Sequence, residues 1–357
     1  METQYKSRLI KIEDSLKNNL PKDANKLWID QSFSNIPLAI KQKHFSELIN
    51  PCRSLLTLGG KRWRPLLLVL CSEMISGKSE DSNCSKTAYT LVPLVEFVHT
   101  ASLIHDDIED NADTRRGQPA VHYTYGIDAA INAGSWLYFE AFSIINTIED
   151  PTLQNNLYKA LSTEIRRLHL GQAMDIAWHN DDTTIPTPEE YTAMVRMKTG
   201  TLASLAARIG TLAGNGTESE ADTVASICAN IGVGFQILDD YINLTTGNKG
   251  KKRGDDIVEG KKSLPVLFHL HENPSDKDKI SNCFTRAKKE GADSPAVEEC
   301  IKIISSGSAL EKAKTVGTDL ILNSCTQLKE MYPAEDKTNI APSYLIEKYF
   351  LNMVKLI

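Results

Sequence analysis

Apolar positions recur along this chain three and four residues apart, the repeat that lines one face of a helix. No stretch convincingly alternates with the period of a half-buried strand, and no hairpin or strand–helix–strand pattern stands out. The pattern predicts helices over residues 45–58, 89–110, 127–148, 153–177, 194–212 and 222–244, with more helix to residue 351. Gly59-Gly60 ends the first of these, and Pro65 sits in the first turn of the next, where a missing N–H is tolerated. Pro93 is expected near the start of the helix over 89–110. Thr187, Pro188 and Glu190 read as the N-cap, N1 and N3 of a capping box. A break is expected near Gly200, and residues 76–86 and 248–262 read as polar loops. Residues 1–45 form a polar helical extension, and residues 46–357 a single all-α domain. Its inner helices are apolar nearly all round, as helices buried in a bundle must be.

Two of these helices end in acid. The first carries Asp106-Asp107-Ile108-Glu109-Asp110 and the second Asp239-Asp240-Tyr241-Ile242-Asn243. Residues three or four apart share a helix face, so Asp106 and Asp110 point one way, as do Asp239 (or Asp240) and Asn243. An acidic run at a helix end is usually a solvated face or a cap. Here Ala101-Ser102-Leu103-Ile104 leads into one cluster and Phe235-Gln236-Ile237-Leu238 into the other. Carboxylates that continue a buried apolar helix need a counter-cation. Two opposed faces of oxygen donors would suit a hard divalent ion, Mg2+ above all, with a phosphorylated substrate.

Charge and composition narrow the field. A chain of 357 residues, 41% hydrophobic and 24% charged, is ordinary globular protein, and a net charge of −6 argues against a general nucleic-acid binder. Seven cysteines without CxxC spacing suit reduced thiols and a cytoplasmic setting. The apolar runs are too short for an integral membrane segment, and the first residues have no secretory h-region. Cations cluster near the acids. Gly59-Gly60-Lys61-Arg62-Trp63-Arg64-Pro65 puts three of them at a helix N-terminus, which favours anions, and Arg115-Arg116-Gly117 follows the first acid run. Lys198-Thr199-Gly200 would give an unwound turn with free carbonyls and a hydroxyl, and Lys251, Lys252 and Lys261 follow the second acid run. Taken singly, each is more often surface charge.

The segments GGKRWRP, HTASLIHDDIEDNADTRRGQPAVH, LHLGQAMDI, MVRMKTGTL, GFQILDDYINL and GDDIVEGKKSLP resemble, in order, the trans-isoprenyl diphosphate synthases, or polyprenyl synthetases, over residues 45–350. DDIEDN, LHLGQAMDIAW and EEYTAMVRMKTG are most similar to geranylgeranyl diphosphate synthases of the eukaryotic kind, whereas GGKRWRP is similar to the bacterial and archaeal form. The resemblance implies a helical bundle of the isoprenoid synthase type around a metal-diphosphate cavity, a homodimer, and isopentenyl and allylic diphosphates as substrates. It implies Mg2+, three ions once diphosphate is bound, on Asp106, Asp110 and Asp239, with Asp107, Asp240 and Asn243 assisting. Arg115, Lys198, Lys251 and Lys261 would contact the allylic diphosphate, and Lys61, Arg64, His99 and Arg116 that of isopentenyl diphosphate. Thr199 and Gln236 would line the reacting carbons.

Such an enzyme would lose diphosphate to leave an allylic cation, add isopentenyl diphosphate, and use the released diphosphate as base. The growing product would pass Ser102 and Ala101, both small, and meet Phe97 about one helical turn deeper. Tyr138 and Phe139 could also close that path. This spacing favours the twenty-carbon geranylgeranyl product, with farnesyl or longer chains as the alternatives. A class I terpene cyclase shares the first acid motif, but Asn243 and Gly247 stand where its second motif has Ser or Thr and then Glu. Glu96-x-x-His99 matches half of a di-iron site, and the other half is missing. A non-catalytic partner subunit would have no reason to keep both acid clusters.

Overall fold

A computed structural model describes residues 2–77, 82–181, 184–247, 253–333 and 341–355. The described residues are 79% helical. By internal contacts the chain divides into two compact units, Met1–Ile165 with Leu205–Ala225, and Arg166–Ser204 with Ser226–Ile357.

The first unit opens with α1 (Glu2–Asn19) and α2 (Lys26–Phe33), then α3 (Gln42–Leu56), α4 (Trp63–Ser76) and α5 (Asn83–Glu109). Leu66 to Leu70 of α4 are all buried, as are Leu91, Leu94, Val95, Phe97 and Val98 of α5. Burying both helices on every side follows from their all-round apolar sequence. The helix over 89–110 begins earlier than the pattern predicts. Ser82 accepts from the Ser85 N–H as N-cap, so Pro93 lies well inside α5. An internal proline leaves the carbonyl four residues before it without a helical donor. That carbonyl belongs to Tyr89, and Ser15 Oγ of α1 donates to it at 2.7 Å.

The polar extension is therefore built into the unit. Ile12, Leu16 and Leu20 are fully buried, and Trp28 of α2 packs edge-on against Phe33, Phe45 and Trp136. After α5 comes a hairpin that the apolar pattern does not reveal. Strands β1 (Thr114–Arg115) and β2 (Gln118–Pro119) pair antiparallel, Arg115 opposite Gln118. Arg116 and Gly117 between them both have positive φ, 54° and 75°, as a two-residue type I′ turn requires. Helices α6 (Val121–Tyr125) and α7 (Ile127–Ile145) follow, and α8 (Pro151–His179) begins in this unit.

In the second unit the capping box at Thr187 is present with both bonds. Glu190 N–H donates to Thr187 Oγ1 at 3.1 Å, and Thr187 N–H to Glu190 Oε2 at 2.8 Å. It opens α9 (Pro188–Val195), which runs into a single π-helical turn, Arg196–Gly200, and then α10 (Thr201–Ala213), whose residues from Leu205 on belong to the first unit. The break expected near Gly200 is thus a widened turn rather than an unwound one. Helix α11 (Glu218–Leu244) starts in the first unit at a second capping box, Thr217 with Glu220, and belongs to the second unit from Ser226 on. The polar loop expected over 248–262 contains α12 (Asp255–Glu259). Helices α13 (Leu264–Glu272), α14 (Lys277–Glu290), α15 (Pro295–Ile304), α16 (Ala309–Met331) and α17 (Pro342–Val354) complete the described chain. One core gathers α12 to α15 around Phe284 and Ile301, and another packs Tyr191, Val195 and Ile237 with Leu264 and Leu267.

Helices α5 and α11 are long and apolar enough to cross a bilayer, but each is 67% buried over its most apolar window, as core helices are. All seven cysteines are buried, and no disulfide joins them.

Glu140 of α7 is a buried carboxyl whose partners are Ser32 Oγ of α2, at 2.5 Å, and Ser143 Oγ, at 3.2 Å. Burial lifts its pKa to about 7 against those two hydrogen bonds. Between its ordinary value near 4.5 and about 7, the folded state holds a proton that the unfolded state has released, so stability falls as pH rises through that window. The full cost, roughly 3 kcal/mol, is reached above it. Glu140→Gln is expected to raise the melting temperature, and to raise it more at pH 8 than at pH 5. Equal gains at both pH values in thermal melts would show that Glu140 does not titrate there.

Candidate active site

The first acid cluster sits where α5 runs out. Asp107 is buried and accepts from Arg115 Nε at 2.6 Å, while Arg115 Nη2 lies 3.3 Å from Asp106 Oδ2. The chain reverses directly after α5, where Asn111 has φ 51° and the Ala112 N–H donates to Asp107 O at 2.8 Å, and this returns Arg115 to the helix it has just left. Asp106 keeps a side chain 17% exposed, and Asp110 is the C-cap. His105, next in sequence, faces α7, with Nδ1 2.9 Å from Ala101 O and Nε2 3.2 Å from Ser135 Oγ. Gly134 makes room for it, because a Cβ there would lie 2.7 Å from the imidazole.

The cationic turn divides its labour. Lys61 is exposed. Arg62 points inward, donating to Glu13 at 2.7 Å, to Glu96 at 2.5 Å and to Leu56 O at 2.6 Å. Arg64 stacks over Trp63 and donates from Nη1 to His99 Nε2 at 3.2 Å. Because arginine can only donate, that nitrogen accepts, and the ring proton is on Nδ1, 3.5 Å from Glu96 Oε1. Burial, helped by Arg64, lowers the His99 pKa to about 4, so the ring is neutral near pH 7. Burial alone would raise Glu96, but His99 and Arg62 outweigh it and hold that carboxyl at about 2. Arg116 donates to Gly59 O and lies against Gly60, clasping the glycine turn. Lys61, Arg64, His99 and Arg116 are thus neighbours in one unit, with His99 and Arg116 holding the others in place.

In the second unit a hydrogen-bonded chain backs the other acid cluster. Thr199 Oγ1 donates to Gln236 Oε1 at 3.0 Å, Gln236 Nε2 donates to Asp240 Oδ1 at 3.0 Å, and the Tyr191 hydroxyl donates to Asp240 Oδ2. Asp240 is buried, and burial raises its pKa to about 6 against these two donors. It serves as the anchor of Gln236 and Thr199, leaving the half-buried Asp239 as the accessible acid. Asn243 is turned inward and accepts from the Asp256 N–H at 3.3 Å, fixing the start of α12. Lys198 reaches Asp175 Oδ2 at 2.6 Å, and Lys261 pairs with Glu259. Lys251 lies outside the described residues.

Sequence reasoning did not single out Arg62's inward grip, Asp175 or Tyr191. The signal for Asp175 was present, as a lone acid in the apolar-faced segment LHLGQAMDI. The glycine of that segment has a clear cause. A Cβ on Gly171 would lie 2.3 Å from the Lys198 backbone N, so only glycine lets α8 approach the π-turn. Among the expected wall residues, Phe97 and Ala101 are fully buried, Ser102 is half-buried and bonded to His99 O, and Tyr138 stacks on His105 at 5.7 Å, beside the acids. Phe139 is 72% exposed and closes no interior path, because it falls on the outer face of α7.

The donors suit a hard cation. At each helix end they are carboxylate oxygens, and the nearest histidine is turned away. Among the described residues no three acidic, histidine or cysteine groups converge on one point. A cation held here would take the rest of its shell from phosphate and water, as Mg2+ does.

A family model for polyprenyl synthetases matches residues 45–304. The geranylgeranyl diphosphate synthase of Saccharolobus solfataricus is 36% identical over 262 residues, 71% of this chain and 76% of its own. The geranylgeranyl pyrophosphate synthase of Neocamarosporium betae is 34% identical over 280 residues, 78% of this chain and 75% of its own. The crystal structure of geranylgeranyl pyrophosphate synthetase from Pyrococcus horikoshii superposes with a TM-score of 0.79 at 26% identity, covering 98% of this chain and 97% of that one.

Gly171→Ala is expected to destabilise the protein by about 1–3 kcal/mol, the usual cost of overpacking a fixed backbone contact. A thermal melt unchanged from wild type would mean that α8 and the π-turn are not in contact.

Proposed function

The chain belongs to the polyprenyl synthetase family, and we propose that it condenses isopentenyl diphosphate with an allylic diphosphate and carries the product to geranylgeranyl diphosphate. The observation that carries this reading is the pairing, in one unit, of an accessible acid cluster at the end of α5 with an anion-ready turn of Lys61, Arg64, His99 and Arg116. The relatives named as geranylgeranyl diphosphate synthases support the product.

Membership of this family carries divalent-metal dependence, and we take the ion to be Mg2+, three ions with diphosphate bound. Asp106 and Asp110, and separately Asp239, are the ligands proposed for it; the bound ion supplies charge to a departing diphosphate. Everything else falls to the chain's own side chains. Arg115, Lys198 and Lys261 are each paired with a carboxylate and can exchange it for phosphate oxygens of the allylic diphosphate. Lys61 and Arg64 take the diphosphate of isopentenyl diphosphate, while His99 orients Arg64 and Arg116 holds the turn. Thr199 and Gln236, locked by Asp240, present fixed dipoles to the allylic cation. The condensation product loses its proton to the released diphosphate, since no side-chain base stands in the motifs.

We also propose a homodimer. Ile127, Ile131 and Phe139 form an exposed apolar stripe on α7, 56%, 44% and 72% exposed, with Tyr123 beside it on α6. Sedimentation as a single 39.6 kDa chain at micromolar concentration would count against it. The buried thiols, none in a disulfide, suit the reducing cytoplasm.

The central test is a radiolabel assay with isopentenyl diphosphate and allylic starters of increasing length, read for both rate and product size. Asp106→Ala and Asp239→Ala should each lower turnover about a hundredfold or more while the protein stays folded. Ala101→Phe should keep metal dependence and shift the main product to a shorter chain. Wild-type turnover in either aspartate variant would overturn the assignment, and an unchanged product in Ala101→Phe would remove Ala101 from the chain's path.

A further inference from the structure

The family match begins at residue 45, yet the isopentenyl diphosphate turn is gripped from before it. Helix α1 is fixed at two points besides its apolar face. Arg8 forms a two-pronged pair with Glu73 of α4, Nε to Oε1 at 3.0 Å and Nη2 to Oε2 at 2.7 Å, with side chains 10% and 1% exposed. Ser15 supplies the hydrogen bond that Pro93 denies to Tyr89 O. Between these anchors, Glu13 Oε1 accepts from Arg62 Nε at 2.7 Å.

Arg62 is the hinge of the cationic turn. It is the N-cap of α4, has φ 48°, and stands between Lys61 and Arg64. A side chain in left-handed conformation is held there only by its surroundings, at a cost of about 1 kcal/mol or more. The surroundings are three acceptors: Glu13, Glu96 and Leu56 O. Glu96 Oε1 is shared with the His99 Nδ1–H, and His99 Nε2 receives Arg64. Glu96 Oε2 meets no partner among the described residues, so the position of that carboxylate is set through its other oxygen.

We propose that Glu13 is a positioning residue for the isopentenyl diphosphate subsite, acting through Arg62, Glu96 and His99 on Arg64. The inference rests on the reading that this turn holds that substrate. With two carboxylates on it, Arg62 has its charge balanced and does not compete for phosphate, which leaves Lys61 and Arg64 to bind it. Without Glu13, Arg62 is left with one carboxylate, draws Glu96 toward itself, and loosens the contact that orients His99.

The test compares Glu13→Gln and Glu13→Asp with Asp14→Asn, which removes the same charge from an exposed position on the same helix. Steady-state kinetics with both substrates would be combined with calorimetric titration of isopentenyl diphosphate. For Glu13→Gln, KM and Kd for isopentenyl diphosphate should rise about fivefold, the equivalent of roughly 1 kcal/mol for a partly exposed charge pair. The allylic KM and kcat should stay within about twofold. Glu13→Asp should fall between wild type and Glu13→Gln, and Asp14→Asn should match wild type. Equal losses for both substrates together with a lower melting temperature would make Glu13 a structural tie and overturn the proposal. So would unchanged binding in Glu13→Gln, or an effect reproduced by Asp14→Asn. If wild type itself neither binds nor turns over isopentenyl diphosphate, the functional reading falls, and this inference with it.

Discussion

An ion taken out of water costs several kcal/mol unless something of opposite charge goes with it. Most of what distinguishes this protein from a plain helical bundle follows from that requirement. Its inner helices are apolar on every side, and yet they carry Glu73, Glu96, Asp107, Asp175 and Asp240 into the interior. Each is answered by a specific donor: Arg8, Arg62, Arg115, Lys198 and Tyr191 respectively. Three of the five donors come from the least regular parts of the chain. A left-handed N-cap, a two-stranded hairpin and a π-turn hold Arg62, Arg115 and Lys198, while Arg8 and Tyr191 stand on the helices α1 and α9. The irregularities thus sit where a charge has to be delivered to a helix that cannot itself supply it.

This also explains how the charged side chains within each unit stay ordered on their own. Arg115 in the first unit and Lys198 in the second are each engaged with a carboxylate of modest exposure, so each cation is held in a fixed position rather than left on a long mobile side chain. Exchange of one anion for another costs less order than recruiting a free lysine. Two layers result. In the first unit Asp106, Lys61 and Arg64 face outward to some degree, with Asp107, His99 and Arg116 behind them; in the second, Asp239 is the accessible acid and Asp240 stands behind it.

What the sequence reveals divides along the same line. The helices, the capping box at Thr187 and the two acid runs are written in local patterns, and local pattern is what a one-dimensional reading can weigh. The start of α5 is missed because Pro93 reads as an opening signal; only a donor from a distant helix, Ser15, makes an internal proline acceptable. The hairpin is missed because its strands are two residues long and its turn is Arg-Gly rather than Asn-Gly. Among the charged residues, sequence tells which are cationic but not which are already matched. Arg62 and Arg64 look equivalent in GGKRWRP, and one backbone angle sends the first inward and leaves the second at His99. Phe139 looks like a plug beside Tyr138 until the helix phase turns it outward.

The π-turn at Arg196–Gly200 has a consequence of a different kind. It inserts one more residue per turn than an α-helix has, and so advances the phase of the helix beyond it by about 100°. Deleting any one residue of the five would let the hydrogen bonding relax to the ordinary pattern, with no loss of helical content. Every side chain from Thr201 onward would then face a new direction relative to Tyr191 and Val195. This stretch should therefore accept substitutions far more readily than changes of length. The spacing between Tyr191 and Thr199, rather than the identity of the residues between them, is what descent has to preserve.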